Sequence, residues 1–494
     1  MDWREEYRMK LRTAEEAARL IKSGERVAIG GSTDQPRIMQ EALFARRDEL
    51  KNVEVMITPM LTNTLWLQPG YDDSFNVALG GWTGPLGRPL ILEKRGDGLI
   101  PNSYYGTFIK SGERPAESKH TDFDWFLMKV SPPNEQGVVS VGAFRWMKKE
   151  LAKKSKMIIA EVDSSQYWVH GDTTMSVSEI DCFVEYTDPL TTMSGVEEAL
   201  ASVDDEAMRQ QIRALAEQAV PYARAILVPA LIAAPQLVMG LAESALGLKA
   251  PEGTEAIAGH VAELIRDGDT IQLGEGAPSG YFGRMGIFDN KHDLGVHSEI
   301  GCRGLGKLIE GGVITGRYKT VHPGKAIFQG LDAIGPEELE YCVENPDVEV
   351  YGVEHVADVK LISALDNFVS MNNALSVDLT GQICFESIFG GIPMHGPGGQ
   401  PDFHMGAFYS KGGRAISVLY STAADGSMSR IVPQFDVGTV VSIPRSHADY
   451  IVTEFGVAKL VGKSFRERAE ELISIAHPDF RAELRKEAQK LFWP

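Results

Sequence analysis

The residues best suited to chemistry lie in two short segments of the second half of the chain. Segment 271–278 reads Ile-Gln-Leu-Gly-Glu-Gly-Ala-Pro, and segment 294–299 reads Leu-Gly-Val-His-Ser-Glu. Each segment is typical of a short apolar β-strand that ends on small or polar residues. In parallel α/β sheets, ligands bind outside the carboxyl ends of the strands. We therefore predict that the glycine turn and Glu299 border one crevice.

The residue types at this crevice indicate covalent or acid–base chemistry by a carboxylate. A glutamate is already ionised at neutral pH, so Glu299 needs no partner base to act as a nucleophile. Gly274 and Gly276 lack a Cβ, and their backbone N–H groups can therefore lie close to a ligand. A second glycine-rich loop, residues 394–403, is either a tight structural turn or a set of amides that can stabilise an oxyanion.

The first part of the chain alternates between helical and strand patterns. Thr13 caps a predicted amphipathic helix over 13–23, and a strand follows over 26–29. A glycine turn leads to a helix over 36–45 and to a strand over 53–58. This β-α-β alternation predicts an α/β fold with a mostly parallel sheet and helices on both faces.

The same pattern recurs in the second half at a nearly constant offset. Residues 20–30 correspond to residues 264–274 in their sequence of helix end, glycine, acid, strand and glycine turn. Residues 53–58 correspond to residues 294–299, with Thr58 in the place of Glu299. We interpret this as an internal duplication that yields two similar open α/β lobes. The alternative is a chance similarity, since a helix–turn–strand pattern is common.

We divide the chain into an N-terminal α/β lobe (1–195), a helix-rich insert and linker (196–254) and a C-terminal catalytic α/β lobe (255–494). The insert contains an apolar stretch, residues 225–246, whose length approaches that of a membrane span. Pro229 and Pro235 interrupt this stretch, and its flanks carry no strong positive bias. We therefore expect a packed helical hairpin or a subunit contact, and no membrane association.

The overall composition excludes several classes of protein. The chain has 494 residues and a formal net charge of −19, which argues against a general nucleic-acid binder. Its four cysteines are widely separated, and no two histidines share a helical face with a carboxylate. We therefore expect neither a disulfide framework nor a bound metal. The first residues form no apolar signal sequence, and we expect a cytoplasmic protein.

A set of motifs resembles the acetyl-CoA hydrolase/transferase family, in particular its 4-hydroxybutyrate CoA-transferase-like branch of class I CoA-transferases. The resemblance extends over nearly the whole chain. The residues that carry it are Gln272-Leu273-Gly274-x-Gly276-Ala277, His297-Ser298-Glu299, Gly381-Gln382-Ile383, Gly396-x-Gly398-Gly399-Gln400-x-Asp402-Phe403, Asp425-Gly426-Ser427, Ile431-Val432-Pro433, Ala448-Asp449-Tyr450-x-Val452-Thr453-Glu454 and Ile475-Ala476-His477-Pro478-Asp479-Phe480-Arg481.

The resemblance implies a function and a set of residue roles. It implies an acyl-CoA:carboxylate CoA-transferase with two α/β lobes, an active site in the cleft between them and Glu299 as the nucleophile that forms a glutamyl-CoA thioester. The coenzyme A thioester is a substrate, and no further cofactor is implied. We expect a homodimer or homotetramer that acts on small organic acids. The remaining implied site residues are Gln272 as a second catalytic residue, with Gly274, Gly276, Ala277, Gly396, Gly398 and Gly399 as substrate and CoA contacts.

Two departures from the family pattern concern the substrate. Glu275 lies where the branch usually has an apolar residue, and Arg303 follows the nucleophile within a changed segment. If Arg303 faces the cleft, it could pair with a second carboxylate on the acyl group; otherwise it is an ordinary surface arginine. Two other functions remain open. One is an acyl-CoA hydrolase that uses the same glutamate, and the other is a non-catalytic ligand-sensing α/β protein.

Overall fold

The computed structural model describes residues 2–32, 34–58, 62–96, 98–100, 102–114, 122–245, 250–331, 333–388, 391–423 and 425–493. The chain folds into two compact units. Unit 1 consists of Met1–Leu246 and Gln329–His355, and unit 2 consists of Gly247–Phe328 and Val356–Pro494.

Both units combine helices and strands along their whole length. The α-helices are α1 (Trp3–Lys10), α2 (Ala14–Ala18), α3 (Arg37–Phe44), α4 (Gly84–Leu92), α5 (Ser111–Glu113), α6 (Lys148–Lys153), α7 (Met193–Leu200), α8 (Glu206–Gln218), α9 (Pro221–Ala233), α10 (Pro235–Ala245), α11 (Thr254–Ala262), α12 (Leu305–Glu310), α13 (Pro336–Glu344), α14 (Val353–Val356), α15 (Val359–Ser363), α16 (Gln400–Tyr409), α17 (Phe465–Ser474) and α18 (Pro478–Phe492). The strands are β1 (Arg26–Gly30), β2 (Val53–Thr58), β3 (Phe75–Gly80), β4 (Gly98–Ile100), β5 (Phe123–Val130), β6 (Val138–Ser140), β7 (Ser155–Val162), β8 (His170–Gly171), β9 (Thr174–Ser176), β10 (Cys182–Glu185), β11 (Thr270–Leu273), β12 (Gly295–Ile300), β13 (Ala326–Gly330), β14 (Val348–Val350), β15 (Phe368–Asn373), β16 (Ser376–Asp378), β17 (Ile383–Cys384), β18 (Ser387–Ile388), β19 (Ile392–Pro393), β20 (Arg414–Val418), β21 (Thr422–Ala423), β22 (Met428–Ser429), β23 (Ile431–Val432), β24 (Tyr450–Thr453) and β25 (Gly456–Lys459).

Unit 1 is built on a parallel sheet with the strand order β10-β7-β5-β1-β2-β3-β4. Its central strands are buried almost throughout, as expected for a sheet that helices cover on both faces. The predicted cap at Thr13 is present as a capping box. The Thr13 hydroxyl accepts a hydrogen bond from the Glu16 backbone N–H, and the Glu16 carboxylate accepts one from the Thr13 backbone N–H. α2 and α3 pack together and supply buried side chains to the core of this unit.

The helix-rich segment completes the core of unit 1. α7, α8, α9 and α10 bury apolar side chains in the same cluster as Phe44 and Trp66. α9 and α10 pack against each other and cover most of the apolar stretch 225–246, whose last residue lies outside the described part of the chain. Among the described residues, no helix combines the length and the hydropathy needed to cross a membrane.

Unit 2 contains a second large sheet, in which the strand order is β25-β24-β20-β15-β11-β12-β13. Within this sheet β24, β20, β15, β11 and β12 pair in parallel with one another, and β25 is antiparallel to β24. A smaller three-stranded sheet contains β17, β16 and β23. α17 and α18 pack against each other and contribute buried residues to a core that includes Val377 and Ile451.

These findings confirm the predicted fold class, an α/β protein with mostly parallel sheets. The two strand orders also correspond. In each unit the first strand (β1 or β11) is central, the next strands extend the sheet to one side, and the chain then returns to add β5 or β15 on the other side. The carboxyl ends of β1 and β5, and those of β11 and β15, therefore form the switch points at which α/β sheets bind ligands.

The unit boundaries differ from the contiguous division drawn from the sequence. Residues 329–355 belong to unit 1, where Glu349 and Val350 of β14 pair with His170 and Gly171 of β8. The helix-rich segment packs into the core of unit 1 rather than standing apart from it. Both differences arise from pairing between residues far apart in the chain, which local sequence patterns do not record.

Candidate active site

Glu299 lies near the carboxyl end of β12, which pairs with β11 in the large sheet of unit 2. β11 and β12 pair in parallel through Thr270↔Gly295 and Ile271↔Val296, a register that leads to Gly274 beside Glu299. Neighbouring side chains anchor the end of β12. The Ser298 hydroxyl donates to Ile300 O at 3.0 Å, and His297 Nε2 lies 2.9 Å from Val356 O. A rigid strand rather than a loop therefore carries the half-buried Glu299 side chain.

The second glycine-rich loop brings Gly399 against the Glu299 carboxylate. A Cβ added to Gly399 would overlap Glu299 Oε2 and would lie 3.3 Å from Glu299 Cδ. Gly399 is also the residue that precedes α16, so the carboxylate faces the amino-terminal end of a ten-residue helix. Free backbone N–H groups and the helix dipole favour negative charge at this end. The structure thus brings together two motifs that are 100 positions apart in the sequence.

Gln272 lies beneath the first glycine turn with its amide group engaged. Its Oε1 accepts hydrogen bonds from Ser370 Oγ at 2.9 Å and from Asn372 Nδ2 at 3.0 Å, and its Nε2 donates to Asn372 Oδ1 at 3.0 Å. The side chain is 1% exposed. Asn372 Oδ1 would lie 2.6 Å from a Cβ on Gly274. Through these contacts the Gln272 side chain supports the glycine turn. A direct catalytic role of Gln272 stays a prediction.

The turn after β11 is held by side chains as well as by its own backbone. Asn373 Nδ2 donates to Glu275 O at 2.8 Å, and Asn373 Oδ1 accepts from the Ser279 backbone at 3.1 Å. The Ser279 hydroxyl donates to Gly274 O at 2.8 Å. Gly276 has φ +83°, a conformation that favours glycine. The predicted Ala277 contact lies in the same fixed turn, immediately after Gly276.

The other predicted glycines lie in the loop that precedes α16. Gly398 has φ +59°, and His395 Nδ1 lies 2.8 Å from Gly396 O. Gln400 connects this loop with the first turn, because its Nε2 donates to Asn373 O at 2.8 Å. The substrate-contacting roles of Gly396 and Gly398 stay predictions. Gly399 is the loop residue for which the structure shows a close approach to Glu299.

The surroundings alter the pKa of two nearby side chains. Glu275 is an exposed residue of the turn, and desolvation raises the pKa of its carboxyl to about 7. Burial lowers the pKa of His404, on α16, to about 4. His404 is therefore a neutral imidazole at physiological pH, with Nε2 2.8 Å from His447 O. Glu299 needs no general base, because a glutamate is ordinarily ionised at neutral pH.

Sequence analysis missed the polar residues that hold the two turns together. Ser370, Asn372, Asn373 and Ser279 were not predicted as site residues. The signal was present in Asn372 and Asn373, two polar residues at the carboxyl end of a buried strand. The rule that selected Glu299 would have selected them too.

The assembled geometry suits covalent chemistry on a carbonyl group. A carboxylate held on a strand faces a helix amino terminus, and glycines on both sides leave room for a substrate. Negative charge that develops near the carboxylate would be stabilised by backbone N–H groups that are already in place.

Comparisons with known proteins point in the same direction. The models of the acetyl-CoA hydrolase/transferase N-terminal and C-terminal domains match residues 1–71 and 335–488. The 4-hydroxybutyrate coenzyme A transferase of Clostridium kluyveri is 34% identical over the whole of both chains. The butyryl-CoA:acetate CoA-transferase of Anaerostipes caccae is 31% identical and covers 99% of this chain and 98% of its own. The crystal structure of RipA from Yersinia pestis matches both chains completely, with a TM-score of 0.78 and 28% identity.

Proposed function

The chain belongs to the acetyl-CoA hydrolase/transferase family, and its enzyme class is CoA-transferase, as the sequence motifs predicted. From this premise we propose that it is an acyl-CoA:carboxylate CoA-transferase that works through a covalent glutamyl-CoA thioester on Glu299. The observation that carries this proposal is the position of the Glu299 carboxylate, which lies against Gly399 at the amino-terminal end of α16.

The proposed reaction begins with attack on the acyl-CoA. A Glu299 carboxylate oxygen attacks the thioester carbonyl, the C–S bond breaks, and an acyl-glutamyl anhydride and CoA thiolate form. The thiolate then attacks the glutamyl carbonyl, giving the glutamyl-CoA thioester and the free carboxylate of the donor acid. Because a carboxylate and a thiolate exchange places at each step, no proton has to be supplied or removed.

The second half of the reaction reverses these steps with another acid. The incoming carboxylate attacks the glutamyl thioester and releases CoA thiolate, and a new anhydride forms. The thiolate attacks the acyl carbonyl of this anhydride, which yields the new acyl-CoA and restores the Glu299 carboxylate. Each attack passes through a tetrahedral oxyanion, and we propose that the Gly398 and Gly399 amides and the α16 amino terminus stabilise it.

We propose that the turn after β11 binds the thioester end of CoA. Gly274 and Gly276 leave the backbone accessible, and Ala277 adds only a methyl group. Binding of the distant nucleotide part can then hold the reacting atoms together. We extend to this chain the small acids named for its relatives, 4-hydroxybutyrate, butyrate and acetate. The proposed protein is a cytoplasmic homodimer or homotetramer with no metal or redox cofactor.

One incubation tests transfer against hydrolysis. Acetyl-CoA is mixed with propionate, butyrate, 4-hydroxybutyrate or succinate, and thioesters and free CoA are followed by chromatography. New acyl-CoA that forms only with an acceptor supports the proposed transfer. Free CoA that accumulates at the same rate without an acceptor would identify a hydrolase, in which water replaces the second acid.

A trapping experiment tests the covalent step. Sodium borohydride added together with acetyl-CoA should inactivate the enzyme, and mass spectrometry should find the modification on Glu299. Glu299→Gln should resist both inactivation and labelling. Glu310→Gln is the matched control, because Glu310 is an exposed glutamate at the end of α12 in the same unit. Labelling that persists in Glu299→Gln would refute the assignment of the nucleophile.

A further inference from the structure

Unit 2 contains a second concave site whose lining is part polar and part apolar. It is a cavity of about 330 Å³, close to the lower limit for pockets that hold small organic ligands. Val432, Pro433 and Phe435 give it an apolar wall, while Arg430 and Ser376 are among its polar residues. None of these residues belongs to the predicted site around Glu299.

Arg430 is a partly buried cation that forms no salt bridge within 4 Å in the described part of the chain, although Glu454 attracts it from a longer distance. Its Nε donates to Thr422 O at 3.1 Å, and its Nη1 donates to Leu375 O at 3.3 Å. These neutral carbonyls hold the guanidinium beside the cavity but do not neutralise its charge. The nearby Glu454 carboxylate accepts hydrogen bonds from the backbone and the hydroxyl of Ser421. A desolvated cation of this kind is stabilised when an anion binds to it.

Ser376 provides a hydroxyl group in the same cavity. The residue is 7% exposed and lines the cavity beside Arg430. A guanidinium and a serine hydroxyl at one cavity are suited to the oxygens of a phosphate group. Asp436 also lines the cavity, but its side chain is exposed, so solvent and salt screen its repulsion of an anion.

The cavity lies on the same edge of the sheet as Glu299. Leu375 and Ser376 follow the carboxyl end of β15, and Thr422 and Ala423 follow that of β20. β12, β11, β15 and β20 are consecutive and parallel in the sheet. At about 4.8 Å between neighbouring strands, the cavity is displaced from Glu299 by roughly 10–15 Å along this edge. One extended ligand can span such a distance.

We propose that the Arg430 cavity binds the phosphate group of an organic phosphate ester, with the guanidinium and the Ser376 hydroxyl on the phosphate oxygens. Two sources have this chemistry. One is CoA, whose phosphates are separated from its sulfur by the long pantetheine arm; this source rests on the proposed CoA-transferase function. The other is a separate phosphate ester that binds without taking part in the transfer.

Calorimetry on the full-length protein tests the cavity directly, with 3′,5′-ADP and inorganic phosphate as probes. Arg430→Gln should weaken binding of 3′,5′-ADP at least tenfold, and Ser376→Ala should weaken it severalfold. Arg430→Lys keeps the charge but loses the planar fork, so it should bind with intermediate affinity. Arg317→Gln makes the same chemical change at an exposed arginine elsewhere in unit 2 and should bind as the wild type does. Thermal unfolding shows whether each variant is folded.

Parallel titrations with CoA and dephospho-CoA distinguish the two sources. If the cavity holds the 3′-phosphate of CoA, Arg430→Gln should weaken CoA binding and leave dephospho-CoA unaffected. If it holds the phosphate of a separate ester, the variant should lose 3′,5′-ADP but bind CoA normally. Either result supports the site. Folded Arg430→Lys and Ser376→Ala proteins that bind every phosphate probe with wild-type affinity would overturn it.

The transferase assay distinguishes a failure of the phosphate-site proposal from a failure of the proposed CoA-transferase function. A wild-type protein without transferase activity that still binds 3′,5′-ADP through Arg430 would refute the function and keep the cavity. A wild-type protein that has transferase activity but no Arg430-dependent phosphate binding would support the function and refute the phosphate site.

Discussion

The two units share one sheet topology but differ in the side chains at the carboxyl ends of the corresponding strands. The β1/β2 and β11/β12 registers make Thr58 the counterpart of Glu299, because Arg26↔Glu54 matches Thr270↔Gly295. In the same way, Val27↔Trp125 and Ile271↔Val369 make Lys129 the counterpart of Asn373. Unit 2 thus has the Asn373 amide and the Glu299 carboxylate where unit 1 has a buried cation and a hydroxyl.

The strand ends of unit 1 are occupied by a buried group of charges, which we call the strand-end charge cluster. Lys129 Nζ lies 3.3 Å from Asp163 Oδ2 and 3.7 Å from Glu161 Oε1, and Lys148 pairs with Asp34. All five side chains are essentially inaccessible to solvent. The comparison teaches that the repeated topology supplies a crevice at the strand ends of both units. The side chains at those ends determine whether the crevice can serve as a reactive site or is filled by buried ion pairs.

The largest expected effect on kcat comes from substituting Glu299, whereas its counterpart Thr58 should tolerate substitution. Glu299→Gln removes the proposed nucleophile and should lower kcat by at least roughly 10³-fold. Thr58→Val, which keeps the volume and removes the hydroxyl at the matching position, should leave kcat within about threefold. Steady-state assays of both purified variants measure the contrast. Similar losses in the two variants would mean that both strand ends carry chemistry.

The strand-end charge cluster predicts a large effect on stability. Lys129→Met leaves Glu161 and Asp163 buried without their cation and should lower the free energy of unfolding by ~3–5 kcal/mol. Lys156→Met, at a side chain that is 78% exposed, should lower it by less than about 0.5 kcal/mol. Urea denaturation measures both. If the two lysines proved equally dispensable, the cluster would not hold unit 1 together.

Gly399 tests the close approach in unit 2. The Cβ of Gly399→Ala would overlap the Glu299 carboxylate and displace it, so kcat should fall roughly 100-fold without loss of folding. The control is Gly259→Ala in α11, where no atom lies within 4 Å of the added Cβ. That change should preserve kcat and add up to ~1 kcal/mol of stability. An unaffected Gly399→Ala enzyme would contradict the assigned geometry.

The smallest effect is a pH dependence that separates the two units. Burial raises the pKa of Glu161 from 4.5 to about 7, so the folded state keeps a proton that the unfolded state loses above pH 4.5. The stability that this proton provides is complete below pH 4.5 and is lost as the pH rises to about 7, by ~3 kcal/mol. Denaturation at several pH values should show this slope in the wild type and a smaller one in Glu161→Gln.

The sequence was sufficient for features that depend on local patterns. The strand predicted over 53–58 is β2, and the helix predicted over 36–45 is α3. The helix predicted over 13–23 was too long, because α2 ends at Ala18 and the chain continues as turns to Gly24. Local propensity does not specify where tertiary packing ends a short helix.

The sequence was insufficient where distant residues meet. The contact between Gly399 and Glu299 depends on how α16 packs, and no pattern within either segment encodes it. The strand-end charge cluster could not be predicted for the same reason. In the sequence, Lys129 and Glu161 are each a single polar residue near the end of an apolar strand. Only the pairing of β5 with β7 brings them together.

The seam between β11 and β12 has a mechanical consequence. The two strands are laddered at Ile271↔Val296, but two positions further on the Ser298 hydroxyl contacts both Leu273 N and Leu273 O at 3.4 Å. A side-chain hydroxyl thus takes the place of backbone bonds at this point of the seam. The Ser298 residue is fully buried and also donates to Ile300 O, so this one hydroxyl links β11 to the end of β12 directly beside Glu299.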